Sequence, residues 1–424
     1  MFGLLQRTPL RVFYNAFRGL SANVWLLALV TFINRSGTMV IPFMTVYLTV
    51  DRQFTLQQAG WVMGAFGLGS LLGAWIGGKL TDTIGFYKVQ FWSLFLSGFV
   101  FIALMFLKSL VALAIGVFVL SSIADAFRPA NFVAVAAYSK PQNLTRSISL
   151  VRMAINLGWS VGPAIGGFLA AHIGYSFLFL ADGLTCIIAA LVMRVFLPPR
   201  KASHQSSEAD PEDAVHTLPH RDMPFLIFLV MMILVAICFM QFIHTLPVYF
   251  KTQLGMHEDR IGLLLALNGL AIGLAEVTLV YVLEGRYHKL WLMSIGSIII
   301  GLAYFVLNLH PSWAGLAVVC MVLLTIGEML NFPFANSYAM GRATGKTRGR
   351  YMAYYTMGFG ITTILAPMVG LQIADHWGFR TLWNVIGAIA VVATVGTLWV
   401  GTMGGPGGFQ SADKALANAP QTGS

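Results

Sequence analysis

Residues at the end of one apolar stretch return, in the same order, at the end of another. Arg146, Pro163, Gly166, Ala170, His172 and Gly174 recur as Arg350, Pro367, Gly370, Ala374, His376 and Gly378, an offset of 204. Pro129, Met153 and Gly183 have counterparts at the same offset in Pro333, Met357 and Gly387. Earlier in each half, Val46-Tyr47 and Gly60 recur as Val248-Tyr249 and Gly262, an offset of 202. One unit is written twice in parallel order. In an apolar chain such duplication points to a transporter of two helical bundles with a path between them.

The 424 residues are 57% hydrophobic and only 10% charged, against about 25% charged in an average soluble protein. A helix needs about 20 apolar residues to cross about 30 Å of hydrocarbon. Twelve such runs occur, near 24–49, 56–80, 86–107, 109–138, 143–171, 175–197, 223–250, 260–283, 290–309, 311–340, 350–374 and 379–401. Helix is the expected form, because lipid cannot satisfy an open backbone. The net charge of +10 would fit a nucleic-acid binder, but its placement argues against one. Of the 26 Lys and Arg, Arg52, Lys108, Lys251, Arg260 and Arg380 fall on one side, Arg35 and Arg128 fall inside spans, and the other 19 share the side of the termini. This positive-inside bias predicts an integral protein, of a bacterial cytoplasmic (inner) membrane, with both ends in the cytoplasm.

Cys186, Cys238 and Cys320 all lie in apolar runs, so no disulfide framework is implied. Residues 1–23 carry Arg7, Arg11 and Arg18 between Phe2, Leu4, Leu5, Phe13 and Phe17, and read as an amphipathic segment on the inner leaflet rather than a cleaved signal. Residues 198–222, with Pro198, Pro199 and the acids Glu208, Asp210, Glu212 and Asp213, read as a cytoplasmic linker between a bundle over 24–197 and a bundle over 223–401. The tail, 402–424, is rich in Gly, Pro, Ala, Ser and Gln and is expected to be disordered.

The loop between spans two and three contains Gly78, Asp82, Gly85 and Lys88. It resembles the signature loop of the major facilitator superfamily: Gly, three residues, Asp, two residues, Gly, two residues, basic. Thr83 and Phe86 stand where that pattern usually has basic residues. The resemblance, with twelve spans, a central linker and a parallel repeat, covers about 24–401. It implies an all-α membrane fold of two six-helix bundles related by a pseudo-twofold. It also implies that Asp82 and Lys88 clamp the two halves together on the cytoplasmic side. Gly85 is expected where a side chain would clash in a short turn. Glu284, Gly285, Arg286, Tyr287, His288 and Lys289 form a degraded copy of the loop.

Span five carries Gly158, Gly162, Pro163, Gly166 and Gly167. This resembles the span-five motif of the family's drug:proton antiporter branch and implies a pliable helix associated with export. A proline inside a helix removes a backbone bond, and glycines one turn apart leave a groove for a neighbour. The Arg that this branch usually carries early in span four is absent here, where Val117 to Ser121 stand.

Ionisable residues in mid-span are rare and cost about 2.5–3.5 kcal/mol on insertion scales, so they are functional candidates. Arg35 stands in span one, Asp125 and Arg128 three apart in span four, Glu276 in span eight and Glu328 in span ten. Low dielectric favours the neutral form of a carboxylic acid, which lets it exchange protons near neutral pH. Glu328 is the first candidate for proton coupling, with Glu276 a second site or a packing pair, and Asp125 and Arg128 pairing as a structural tie or switch. In the family, spans one, four, seven and ten line the cavity. That resemblance makes Asn34, Arg35, Thr38, Asn131, Gln241, His244 and Asn331 the candidate substrate contacts. Thr325, Glu328, Asn331 and Ala335 follow a helical spacing that forms one stripe. Cys-x-x-Cys patterns and nucleotide loops are missing, so neither a metal, a cofactor nor ATP drive is expected.

The expected function is secondary active transport: proton-coupled export of small amphipathic or drug-like compounds by a monomer that alternates access. The partners are a small-molecule substrate, protons and the lipid bilayer, with no nucleic acid and no enzymatic reaction. The alternative is proton-coupled uptake of a polar metabolite such as a sugar, a short peptide or an organic acid. A transport-inactive receptor or scaffold is a third reading, against which the mid-span charges argue.

Overall fold

A chain that cannot leave backbone groups open in lipid folds into helices, and the computed structural model holds helices throughout. It describes residues 19–140, 143–200, 218–284, 286–309, 313–342 and 348–403. The amphipathic reading of 1–23 and the tail reading fall almost entirely outside these residues, as does most of the linker. The helices are α1 (Ala22–Ser36), α2 (Val40–Val46), α3 (Leu56–Ile84), α4 (Phe86–Leu104), α5 (Leu110–Ala124), α6 (Phe127–Tyr138), α7 (Leu144–His172) and α8 (Ser176–Phe196). After the linker come α9 (Met223–His244), α10 (Leu246–Thr252), α11 (Glu258–Leu283), α12 (Lys289–Phe305), α13 (Gly315–Arg342) and α14 (Arg348–Thr402).

Ten helical stretches among the described residues are long and apolar enough to span a membrane. One of them, Arg350–Thr402, has 53 residues, about 80 Å of helix at 1.5 Å per residue, and bends at Gly378 (φ 79°). Each of its two arms is long enough to cross the hydrocarbon. Counting both and adding the 26-residue α11 gives the twelve expected from the sequence. Gly174, the repeat counterpart of Gly378, also has positive φ (123°), so both copies turn at a backbone conformation that side chains resist.

Prolines explain where the spans break. Pro42 follows the gap between α1 and α2, Pro129 follows the break between α5 and α6, and Pro247 follows the single-residue break at Thr245. Each lacks the N–H that would continue the ladder, and its ring crowds the carbonyl four residues back.

Packing divides the chain into two units. One comprises Met1–Phe43, Leu68–Gln205 and Leu265–Leu270; the other Met44–Gly67, Ser206–Leu264 and Ala271–Ser424. The divisions fall inside α2, α3 and α11 rather than only in the linker. Glycines in α3 account for its division. A Cβ at Gly69, Gly73 or Gly77 would strike Phe118, Ser122 or Ala126 in the first unit, whereas one at Gly60, Gly64 or Gly67 would press on Pro367, Met368 or Thr363 in the second.

The two cores sit at repeat-equivalent places, beside the starts of spans one, three and five and of their copies. The first gathers Val24, Leu27, Phe86, Ala130, Tyr138 and Leu150. The second gathers Phe225, Phe228, Leu290, Tyr338, Tyr351 and Tyr355. Their polar ties differ. In the first unit Ser21 Oγ donates to the Tyr138 carbonyl (2.8 Å) and the Tyr138 hydroxyl to that of Pro198 (2.6 Å). In the second, Asp222 caps α9 by accepting from Phe225 N–H (3.2 Å), and takes Arg342 in a two-point pair (2.7 and 2.8 Å) and the Tyr351 hydroxyl (2.8 Å).

Burial pushes the Asp222 carboxyl up, but the bonds from Arg342, Tyr351 and Phe225 outweigh it and hold the group below the usual carboxylate range. A depressed acid contributes stability in full above its unfolded value, about 3.9, and loses it as pH falls towards the folded value. The Asp222→Asn variant should therefore be markedly less stable at pH 7, by roughly 3–5 kcal/mol for a broken buried pair. The gap to wild type should narrow as pH drops below about 4. Thermal unfolding in detergent across that pH range checks both.

Candidate functional site

The break in span one is the centre of the first unit's chemistry. α1 ends at Ser36 and α2 begins at Val40, so Gly37, Thr38 and Met39 lie between helices. Each backbone N–H from Gly37 to Val40 finds an acceptor, as a buried backbone requires. Gly37 N–H and Thr38 N–H turn back to Ile33 and Arg35 (3.3 and 3.1 Å). Met39 N–H and Val40 N–H donate to the Asp182 carboxylate of α8 (3.0 and 3.2 Å from Met39, 2.9 Å from Val40).

Two helices hold this break from either side. On α7, Gly158, Gly162 and Gly166 form a stripe at four-residue spacing. A Cβ at Gly158 would overlap Arg35 Cβ, one at Gly162 would lie 3.0 Å from the Thr38 carbonyl, and one at Gly166 would lie 2.9 Å from Met39 Cβ. The span-five motif is thus a seat for broken span one. α7 stays continuous through Pro163. On α8, Asp182, Thr185 and Cys186 share one face: Thr185 fills the space beside Gly37, and Asn34 Nδ2 reaches the Cys186 sulfur (3.5 Å).

Arg35 lies close enough to Asp125 and Arg128 for their charges to act on it. Asp125 and Arg128 pair at 2.8 Å, with the Asp125 side chain buried and that of Arg128 54% exposed. This is the tie expected from their spacing. The Arg35 Nε and one Asp125 oxygen are buried without a hydrogen-bond partner among the described residues.

Other candidates are placed differently from the expectation of an open lining. Asn131 is buried and accepts from Gln90 Nε2 of α4 (3.0 Å). Asn331 Nδ2 donates to the Met293 carbonyl and Ser297 Oγ of α12 (both 2.9 Å). Gln241 Nε2 donates to the Ala366 carbonyl of α14 (2.9 Å), beside Gly370, the repeat counterpart of Gly166. These amides tie neighbouring helices within their own units. Thr38 and His244 are buried, and His244 Nδ1 has no partner among the described residues. Glu276 and Glu328 are partly buried, and each is engaged by a neighbour. Thr325 turns its hydroxyl back to the Met321 carbonyl (2.7 Å).

In the signature loop, Gly85 caps α4 with φ 87°, yet a Cβ there would meet nothing within 4 Å. The expected clash is corrected: handedness of the backbone, not space, requires glycine. Gly78 likewise has open space around it. Asp82 and Lys88 are exposed at this end of the first unit. In the degraded copy, Gly285 lies outside the described residues.

Sequence reasoning missed Asp182. Its signal was available: a lone acid within an apolar run, followed by Thr185 and Cys186 on the same helical face.

The major facilitator superfamily profile matches residues 24–259 and 245–420. The chain belongs to the major facilitator superfamily. It is an integral membrane protein and a secondary transporter, not an enzyme. A Na(+), Li(+), K(+)/H(+) antiporter of Planococcus maritimus is 22% identical over 401 residues, 87% of this chain and 93% of the relative. Sugar efflux transporter A of Escherichia coli is 24% identical over 287 residues, 65% and 69% of the two chains. A peptide transporter crystallised with sulfate shares the fold at a TM-score of 0.78 and 16% identity, covering 91% of this chain and 95% of its own.

The glycine seat yields a contrast. Gly158→Val should lower the thermal stability of the purified protein by roughly 1–3 kcal/mol through overpacking, because Arg35 and Ser36 present backbone there. Gly387→Val, where an added Cβ meets nothing within 4 Å, should leave the melting temperature within about 1 °C of wild type, consistent with the near-neutral effect of substitutions that disturb no packing. Equal losses would show that the close approach at Gly158 is not what the motif provides.

Proposed function

We propose that this transporter exports small amphipathic compounds in exchange for protons, by alternating access of its two bundles (24–197 and 223–401) about a midplane site. The observation that carries the reading is the span-five glycine stripe seated on the break of span one, next to Arg35. A helix that is broken where it meets a cation, and packed on a smooth glycine face, can shift there without prising side chains apart. Arg35, with Asn34 beside it, holds an anionic or polar group of the cargo, since its buried Nε has no hydrogen-bond partner among the described residues. Glu328 takes up and releases the proton, with Glu276 the second candidate. Relatives named as a cation/proton antiporter and as a sugar efflux transporter support both exchange and the outward direction. Asp82 and Lys88 act in the cytoplasmic gate, in a monomer whose termini face the cytoplasm of a bacterial inner membrane.

A panel of amphipathic carboxylates, amines, sugars and alkali cations, screened by thermal shift, identifies the cargo, because a ligand of the folded state raises its stability by mass action. In proteoliposomes loaded with a pH-sensitive dye, that compound should drive proton movement. Glu328→Gln should abolish proton-driven flux and spare substrate exchange; flux with unchanged pH dependence would remove Glu328 from the coupling role. Loss of the protein from cells should raise their content of the compound, whereas a fall would mean uptake.

The gate has its own test. Asp82→Asn should slow turnover several-fold with little change in binding. Normal turnover with weakened binding would count against a gating role.

A further inference from the structure

The glycine stripe lets α7 come close to the break in span one, but a smooth face does not fix the break in one geometry. That needs directional bonds. Among the described residues the Asp182 carboxylate supplies them to the start of α2, through Met39 N–H and Val40 N–H. Asp182 is fully buried, and neither the transport reading nor the two motifs give it a task.

Its surroundings make it more than a local cap. One turn along α8, Cys186 holds Asn34 Nδ2, and Thr185 fills the space beside Gly37. Residues 34, 37, 39 and 40 are thus fixed from one face of one helix. Arg35 lies inside that fixed stretch, with its Cβ against Gly158. The repeat offers a natural comparison. At the offset of 204, Asp182, Thr185 and Cys186 correspond to Ile386, Ile389 and Ala390, all apolar. The second unit breaks span seven at a single residue, Thr245, whose hydroxyl is taken up by Gln241. The three-residue gap and the acid occur together in the same copy.

We infer that Asp182 is a positioning residue for transport: its carboxylate clamps the break between α1 and α2 and so sets where Asn34 and Arg35 stand. The role in transport rests on the proposal that Arg35 meets the cargo; the clamp itself does not.

Peptide-resolved hydrogen exchange and alkylation by N-ethylmaleimide test it on the purified full-length protein, comparing wild type with Asp182→Asn and Asp182→Ala. Alanine removes both acceptor oxygens, and asparagine keeps one. Exchange in the segment holding Met39 and Val40, and alkylation of Cys186, should rise ~10-fold or more in the alanine variant and less in the asparagine variant. Cys238 and Cys320, both buried in the second unit, should stay as slow as in wild type. If the alanine variant does not fold, the asparagine variant decides by the same pattern. A rise in all three cysteines together would make Asp182 a general stabiliser and overturn the inference. Unchanged exchange at Met39–Val40 with Cys186 still protected would overturn it too. Neither readout uses a substrate, so failure here leaves the proton-exchange proposal standing, and failure of the Glu328 experiment leaves the clamp standing.

Discussion

In hydrocarbon, a helix that stops must have its freed backbone groups met by something inside the protein. That constraint organises this carrier. Span one stops for three residues, and the four N–H groups from Gly37 to Val40 are met by two carbonyls of α1 and one carboxylate of α8. The acid must lie deep, α8 must present it to α1, and α7 must be thin enough for α1 to bend between them. Gly158, Gly162 and Gly166 meet the last requirement. The polar groups and the glycines are parts of one solution.

The duplicated halves kept the thinness and diverged in the polarity. Gly166 and Gly370 both receive the span that breaks, one against Met39 and the other against Gln241, and Gly174 and Gly378 both turn at positive φ. Glycine has no substitute where backbones touch or turn the wrong way, so these positions survive as matches. A polar tie can be remade from other residues. At the linker end one unit uses Ser21 and Tyr138, the other a buried Asp222–Arg342 pair. The same geometric need has been met by neutral bonds in one copy and charges in the other.

This difference explains what could be read from the chain alone. Span number, repeat and the glycine motif follow from rules about apolar length and close approach, which act position by position. The Asp125–Arg128 pair follows from a local spacing. Asn131, Gln241 and Asn331 are substrate-contact candidates from the spans they occupy; in the structure each also bonds an adjacent helix, a choice of phase that span membership cannot decide. Asp182 was overlooked for a related reason. Its partners are backbone amides 142 and 143 residues away in sequence, and an amide gives no residue-type signal that would pair it with an acid. Gly85 was recognised for the wrong cause, since a turn's handedness and a turn's crowding favour the same residue.

The asymmetry between the copies is sharpest at the span that breaks. One break is a three-residue gap held by the Asp182 side chain, and the other is a one-residue break at which the Thr245 hydroxyl meets Gln241. A hydroxyl–amide bond has one protonation state in the physiological range, whereas a carboxylate bond depends on charge. The carboxylate at a span break belongs to the first unit, on α8. The second unit has charged ties of its own, Asp222–Arg342 at the linker end, Lys251–Glu258 between α10 and α11, and the engaged Glu276 and Glu328. The two copies thus meet a broken span with different chemistry, a carboxylate in one and a hydroxyl next to the buried His244 in the other.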